Sequence, residues 1–83
     1  MGAHMKPRLK VKELALAKGY NMSSLSRKAD VSFRTIKRYF RNPLDPATTD
    51  TLGRVAQALE VEIGDLIELV PDDYQEKESE GEE

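Results

Sequence analysis

The stretch MSSLSRKADVSFRTIKRYFR, residues 22–41, decides the fold of this 83-residue chain, because it encodes two short helices joined by a tight turn. Ser26 is short enough to let the two helices cross closely, and Asp30 is a residue that tolerates the left-handed backbone such a turn needs. Asn21 and Ser32 precede the two helices as N-caps. The apolar positions that can form one small core between the helices are Leu25, Ala29, Val31, Ile36 and Tyr39.

Apolar spacing on both sides of this helix-turn-helix pattern predicts further helices. Residues 9–18 carry apolar side chains at i, i+3, i+4 and are followed by Gly19, so they predict a first helix. Residues 42–48 contain two prolines and predict a loop, after which Thr48 can cap a fourth helix. Two stripes at i, i+3, i+4, i+7 predict the fourth and fifth helices, namely Leu52, Val55, Ala56, Leu59 and Ile63, Leu66, Ile67, Val70. The expected fold class is all-α, with no strand.

Both ends of the chain are expected to lie outside the folded domain, which we place at residues 6–71. Residues 1–5 look like the scar of a removed expression tag. Residues 72–83 hold seven acidic residues and one lysine, with too few apolar groups to fold, so they predict a disordered acidic tail.

Charge is strongly segregated along the chain, although the formal net charge is only −2. Residues 1–41 hold eleven Lys and Arg against two acids, whereas residues 42–83 hold two against thirteen. Without residues 72–83 the chain carries +4, and its basic residues are concentrated. This distribution favours a polyanion as partner.

The residue inventory argues against several function classes. There is no cysteine, and the single histidine, His4, lies in the expected tag scar, so we expect no metal, no cofactor and no enzyme activity. No apolar run approaches the roughly 20 residues of a membrane-spanning helix, and the chain begins without the apolar stretch of a signal peptide. We therefore expect a cytoplasmic protein without membrane contact.

Three stretches resemble the phage-repressor type of helix-turn-helix regulators, also called the xenobiotic-response-element or Cro/repressor-like family. They are LSRKADVS (25–32), RTIKRYF (34–40) and TLGRVAQALEVEIGDLI (51–67), and the resemblance covers residues 9–70. It implies a five-helix lambda-repressor-like domain that binds double-stranded DNA. In this family the third helix enters the major groove, and dimers read two half-sites about one helical turn apart.

The resemblance also implies which residues contact DNA. Positions expected at base edges are Ser32, Phe33, Arg34, Lys37 and Arg38. Arg and Lys can donate to guanine O6 and N7, and the ring of Phe33 can touch a thymine methyl. Positions expected at phosphates are Met22, Ser23, Arg41 and Asn42. Met22 stands where the family usually has Gln, and a thioether cannot make the hydrogen bonds of that amide.

Outside the third helix, the sequence leaves several alternatives open. The basic residues at positions 6, 8, 10 and 12 form either an arm on DNA phosphates or a disordered end. The acidic tail either solubilises the domain or competes with DNA for its basic residues. Leu69 lies off the fifth helical stripe and, beside Leu66, can seed a symmetric homodimer contact.

The expected function is that of a sequence-specific DNA-binding transcriptional regulator, either a repressor or an antitoxin-like autoregulator. The alternative is an interaction module in which the same fold binds a protein partner. DNA binding depends on Arg34 and Lys37 and weakens with salt, whereas a protein partner depends on apolar residues such as Phe33 and Leu69.

Overall fold

A computed structural model describes residues 4–76 of the chain. Four α-helices, one 3-10 turn and a two-stranded sheet make up this part of the protein. In chain order they are β1 (Met5–Leu9), α1 (Val11–Ala17), α2 (Met22–Ala29), α3 (Phe33–Arg41), α4 (Thr49–Leu59), the 3-10 turn (Ile63–Leu66) and β2 (Ile67–Pro71). Within residues 4–76, none of the helices has the length and apolar character needed to cross a membrane.

The turn between α2 and α3 has the predicted geometry. Asn21 and Ser24 cap α2 reciprocally, each side-chain oxygen accepting a hydrogen bond from the other residue's backbone N–H. Asp30 ends α2 in the left-handed conformation, with φ 60° and ψ 46°. The hydroxyl of Ser26 donates to the carbonyl of Val31 at 2.6 Å, so the first residue after Asp30 is held against α2.

One hydrophobic core lies between the helices and the 3-10 turn. The predicted inward positions of α2, α3 and α4 are buried, which confirms those helices and their faces. The largest completely buried side chains of this core are Tyr39, Leu25, Ile36, Leu59, Leu66, Val11 and Val55. Truncating any one of the buried leucines to alanine typically costs about 2–5 kcal/mol.

The predicted fifth helix is wrong, and with it the all-α class. Residues 63–66 make only a 3-10 turn, and β2 then pairs antiparallel with β1, with Leu9 opposite Ile67 and Pro7 opposite Leu69. Over eight residues a helical stripe cannot be distinguished from a short strand by spacing alone. Ile67 and Val70 are β-branched and favour extended backbone once β1 supplies a partner strand. The first helix is also shorter than predicted, because Leu9 ends β1 and α1 begins at Val11.

Arg8 joins the two ends of the chain. Its side chain is only 9% exposed, and its guanidinium lies 2.7 Å from Glu13, 3.1 Å from Glu68 and 2.9 Å from Glu76. The hydrogen bond from Arg8 holds the pKa of Glu76 below its ordinary value, and the same bond raises the pKa of Arg8. The hydroxyl of Tyr74 donates to Glu76 at 3.0 Å, which raises the pKa of that phenol.

The folded domain therefore extends past Pro71. The N–H of Asp72 donates to the carbonyl of His4 at 2.9 Å, and the N–H of Tyr74 donates to the carbonyl of Pro71 at 2.8 Å. The prediction of disorder is wrong for residues 72–76, because Arg8 gives Glu76 a partner that composition alone does not reveal. The rest of the expected tail, residues 77–83, lies outside the described residues. His4 and Met5, assigned to the tag scar, adjoin or form the start of β1.

Candidate nucleic-acid interface

The start of α3 is fixed by its cap. The Oγ of Ser32 accepts a hydrogen bond from the backbone N–H of Thr35 at 3.2 Å, and its hydroxyl proton is donated to the Oγ1 of Thr35 at 3.0 Å. Ser32 is exposed, as expected for a DNA contact, but its hydroxyl both accepts and donates a hydrogen bond within the cap. Its main effect on the interface is therefore to fix the direction of α3.

The two sides of α3 differ completely in chemistry. Ile36, Tyr39 and Phe40 are buried in the core, which fixes the rotation of the helix. Phe33, at the first position, is 46% exposed. The basic residues of the exposed side follow the spacing i, i+3, i+4, i+7 and so form one row, which we call the α3 basic row: Arg34, Lys37, Arg38 and Arg41.

No carboxylate neutralises the α3 basic row within the part of the chain that the structure describes. The recorded ion pairs of residues 4–76 involve Arg8 and Arg54, and none involves a residue of α3. Arg38 has one aromatic contact, its guanidinium carbon lying 5.8 Å from the centroid of the Tyr39 ring. A row of cations without internal partners attracts an external polyanion.

The start of α2 supplies further polar groups to the helix-turn-helix, namely backbone N–H groups. Backbone N–H groups of Ser24 and Leu25 are taken by the side chain and carbonyl of Asn21. The amides of Met22 and Ser23 precede them in the first turn, where helix N–H groups lack intrahelical acceptors. The side chain of Met22 packs on the core, so its backbone is the part that can face a phosphate oxygen. Ser23 is exposed.

The helix-turn-helix matches a known family of proteins. A family model described as the Cro/C1-type helix-turn-helix DNA-binding domain matches residues 10–72. The chain belongs to this family. The match runs from α1 through β2, so it includes every helix of the core and confirms the resemblance seen in the sequence. Comparisons with curated proteins and with solved structures gave no significant match.

In this Cro/C1-type domain, the remaining predicted contacts fall in two places. Asn42 directly follows α3 and is exposed, and its N–H donates to the carbonyl of Arg38 at 2.7 Å. Leu69 is 64% exposed on β2, but Leu66 is completely buried. Leu66 therefore offers no surface to a second copy, and of the two predicted dimer contacts only Leu69 stays a prediction. The burial of Leu66 agrees with its place on the fifth apolar stripe, and the exposure of Leu69 agrees with its place off that stripe.

Sequence reasoning missed Arg54, which supports the helix-turn-helix of the Cro/C1-type domain from α4. Its guanidinium donates to the carbonyl and the carboxylate of Asp30, at 3.3 Å and 3.4 Å, and lies 3.6 Å from Asp50. The i, i+4 spacing of Asp50 and Arg54 signals only a surface ion pair. The contact with Asp30 depends on how α2 and α4 pack, so no local pattern could reveal it.

Proposed function

We propose that this protein is a sequence-specific transcriptional regulator of the cytoplasm, a repressor or antitoxin-like autoregulator that occupies a promoter. In this proposal α3 enters the major groove of double-stranded DNA. The observation that carries it is the α3 basic row, which is exposed on one side of a rigidly packed helix and has no carboxylate partner among residues 4–76.

Arg34 and Lys37 are proposed to read bases. Both are exposed in the first half of α3, where a recognition helix approaches base edges, and both can donate to guanine O6 and N7. The neighbouring Phe33 offers an apolar surface to a thymine methyl. Each well-placed contact of these kinds contributes about 1–3 kcal/mol of discrimination. Arg38 flanks them, and Ser32 orients the helix through its cap.

Contacts to the DNA backbone are proposed for both ends of the helix-turn-helix. Arg41 and Asn42 lie at the end of α3, and the amides of Met22 and Ser23 lie at the start of α2. These groups suit phosphate oxygens, because helix N-termini and cations both attract anions. They position α3 without reading sequence, and they make affinity fall with salt.

The test is selection of binding sites from a pool of random duplex DNA at low and moderate salt, followed by affinity measurements on the recovered site. We expect a palindromic site, because two copies related by a two-fold axis read two half-sites. Arg34→Ala and Lys37→Ala should each weaken binding about 5- to 150-fold, which corresponds to about 1–3 kcal/mol. Lys28→Ala is the matched control, since it removes one exposed cation from α2 and should change affinity less than twofold.

The proposal fails if no DNA is retained even at low salt, or if the α3 variants bind as well as the control. The second candidate function, a protein-interaction module, is favoured by two exposed apolar side chains, Phe33 and Leu69. It predicts that a partner recovered by pull-down is lost on Phe33→Ala or Leu69→Ala and retained at high salt.

A further inference from the structure

The helix-turn-helix contains a single carboxylate, and it lies in the turn. Between Asn21 and Asn42 the basic residues are Arg27, Lys28 and the four members of the α3 basic row, whereas the one acid is Asp30. Its side chain is 94% exposed. An exposed negative charge at the base of a helix proposed to enter the major groove opposes the approach of DNA phosphates.

The distance from Asp30 to the proposed interface follows from the chain itself. Asp30 lies two residues before Ser32, the N-cap of α3. Two residues span at most about 7 Å, and a contact from Ser32 to DNA adds about 3 Å. Asp30 therefore lies within about 10 Å of the bound duplex in the proposed complex. At that distance an unpaired carboxylate is felt by more than one phosphate, since B-DNA carries one charge per about 1.7 Å of its axis.

Arg54 of α4 reaches this carboxylate across the contact between α2 and α4. Its Nη1 donates to the carboxylate of Asp30 at 3.4 Å and to the backbone carbonyl of Asp30 at 3.3 Å. Among the ion pairs recorded for residues 4–76, no other involves Asp30. Arg54 is thus the cation that offsets the charge of the turn in the described part of the chain.

The turn cannot easily move its carboxylate away from DNA. The carbonyl of Asp30 accepts a hydrogen bond from Arg54, and the next carbonyl, that of Val31, accepts one from the hydroxyl of Ser26 at 2.6 Å. The turn is therefore held from α4 and from α2 at two consecutive residues. A shift that withdraws Asp30 breaks both bonds, so its charge has to be offset where it stands.

Exposure indicates that the pair acts on binding more than on folding. The side chain of Arg54 is 49% exposed and that of Asp30 is 94% exposed. Exposed ion pairs contribute little to stability, because water hydrates both partners in the unpaired state. Beside bound DNA the balance changes, since the phosphates repel a carboxylate that has lost its cation.

We infer that Arg54 is a positioning residue of the DNA interface, which acts through Asp30 by neutralising the turn carboxylate and holding it in place. The inference rests on the proposed function, because it needs α3 to bind DNA. A carboxylate about 10 Å from one phosphate in water weakens binding about twofold, so two or three such phosphates weaken it about 3- to 8-fold at low salt. The Debye length shortens as salt rises, so the effect should fade with salt.

The test is a double-mutant cycle on the affinity of the full chain for the selected DNA site. At about 0.02 M salt, Arg54→Met should weaken binding about 3- to 8-fold per bound copy, and by less than twofold at about 0.3 M salt. Asp30→Asn alone should change affinity less than twofold, because Asn also tolerates the left-handed backbone. Once Asp30→Asn is present, adding Arg54→Met should cost less than twofold.

Asp50 provides the matched control for the cycle. It lies 3.6 Å from Arg54 and is 82% exposed, but it belongs to the first turn of α4 and not to the helix-turn-helix. In a chain carrying Asp50→Asn, Arg54→Met should still weaken binding about 3- to 8-fold at low salt. Circular dichroism verifies that every variant is folded, and a purely structural role of Arg54 would not depend on which acid is neutralised.

Three results overturn the inference. One is a loss from Arg54→Met that is as large with Asp30→Asn as without it, which indicates that Arg54 contacts DNA itself or acts on the fold. Another is a loss that Asp50→Asn abolishes. The third is an Arg54→Met variant that binds within twofold of the unaltered chain at low salt, while Arg34→Ala weakens binding as expected. In that case the proposed function stands, whereas a chain that binds no DNA overturns both.

Discussion

Replacing Arg8 with Met tests whether the ionic contact between the chain ends stabilises the fold. The substitution removes a guanidinium that is 9% exposed and faces Glu13, Glu68 and Glu76 at 2.7–3.1 Å. The aliphatic stem is kept, because Met fills much of the volume of the Arg side chain. What the variant loses is therefore the charge and its hydrogen bonds, while three carboxylates remain beside one another.

The expected loss follows from the exposure of the partners. Breaking a buried ion pair costs about 3–5 kcal/mol, whereas an exposed pair contributes about 0–1 kcal/mol. Arg8 is buried, but its three partners are partly exposed and can be hydrated after the substitution. We therefore expect Arg8→Met to lower the free energy of unfolding by about 2 kcal/mol, between these limits. For a domain of this size, that lowers the Tm by about 8–16 °C.

The assay is thermal and urea unfolding followed by circular dichroism, with Arg54→Met as the matched control. Arg54 also pairs with two carboxylates, but it is 49% exposed and lies farther from them, at 3.4 Å and 3.6 Å. Its substitution should cost no more than about 0.5 kcal/mol. The reasoning that burial makes the Arg8 contact strong is refuted by either of two results. One is an equal loss of unfolding free energy in the two variants, and the other is a loss below about 0.5 kcal/mol for Arg8→Met.

Three further outcomes are expected. Because Arg8 lowers the pKa of Glu76 in the folded chain, their contact stabilises the fold above the ordinary Glu pKa of about 4.3 and is lost as pH falls through the lower folded value. Glu76→Gln should flatten the acid side of the profile of unfolding free energy against pH. Glu60 ends α4 at φ 61°, so Glu60→Gly should raise stability by about 0.5 kcal/mol, while Glu60→Ala, which keeps the strained Cβ, should not. On the selected DNA site, Arg41→Ala should reduce the slope of log affinity against log salt by about 0.9, whereas Phe33→Ala should keep the slope and relax one base preference.

The helix-turn-helix could be predicted because its determinants are local. Asn21 and Ser32 each cap a helix by accepting a hydrogen bond from the backbone N–H three residues later. Asp30 adopts the left-handed backbone that the turn requires. Spacing within α3 also separates buried from exposed positions, so the exposure of Arg34 and Lys37 follows from the sequence.

The two-stranded sheet of β1 and β2 could not be predicted, because each strand forms only when it pairs with the other. Residues 5–9 and 67–71 are about sixty positions apart. The first alternates apolar with charged side chains over only five residues that include a proline, and the second does not alternate strictly. The pairing turned a helical stripe into β2, although Leu66 stayed in the core, where that stripe placed it. Arg8 was hidden for the same reason, since two of its three partners come from the far end of the chain.

The structure also explains how a chain of net charge −2 can carry a site for a polyanion. Two of the acids concentrated in the C-terminal half, Glu68 and Glu76, form ion pairs with Arg8 of β1. Asp30 and Asp50 form ion pairs with Arg54 of α4, which supports the turn between α2 and α3. These acids are held by cations that do not belong to α3. The α3 basic row has no carboxylate partner among residues 4–76, so it can attract an external anion in spite of the negative net charge.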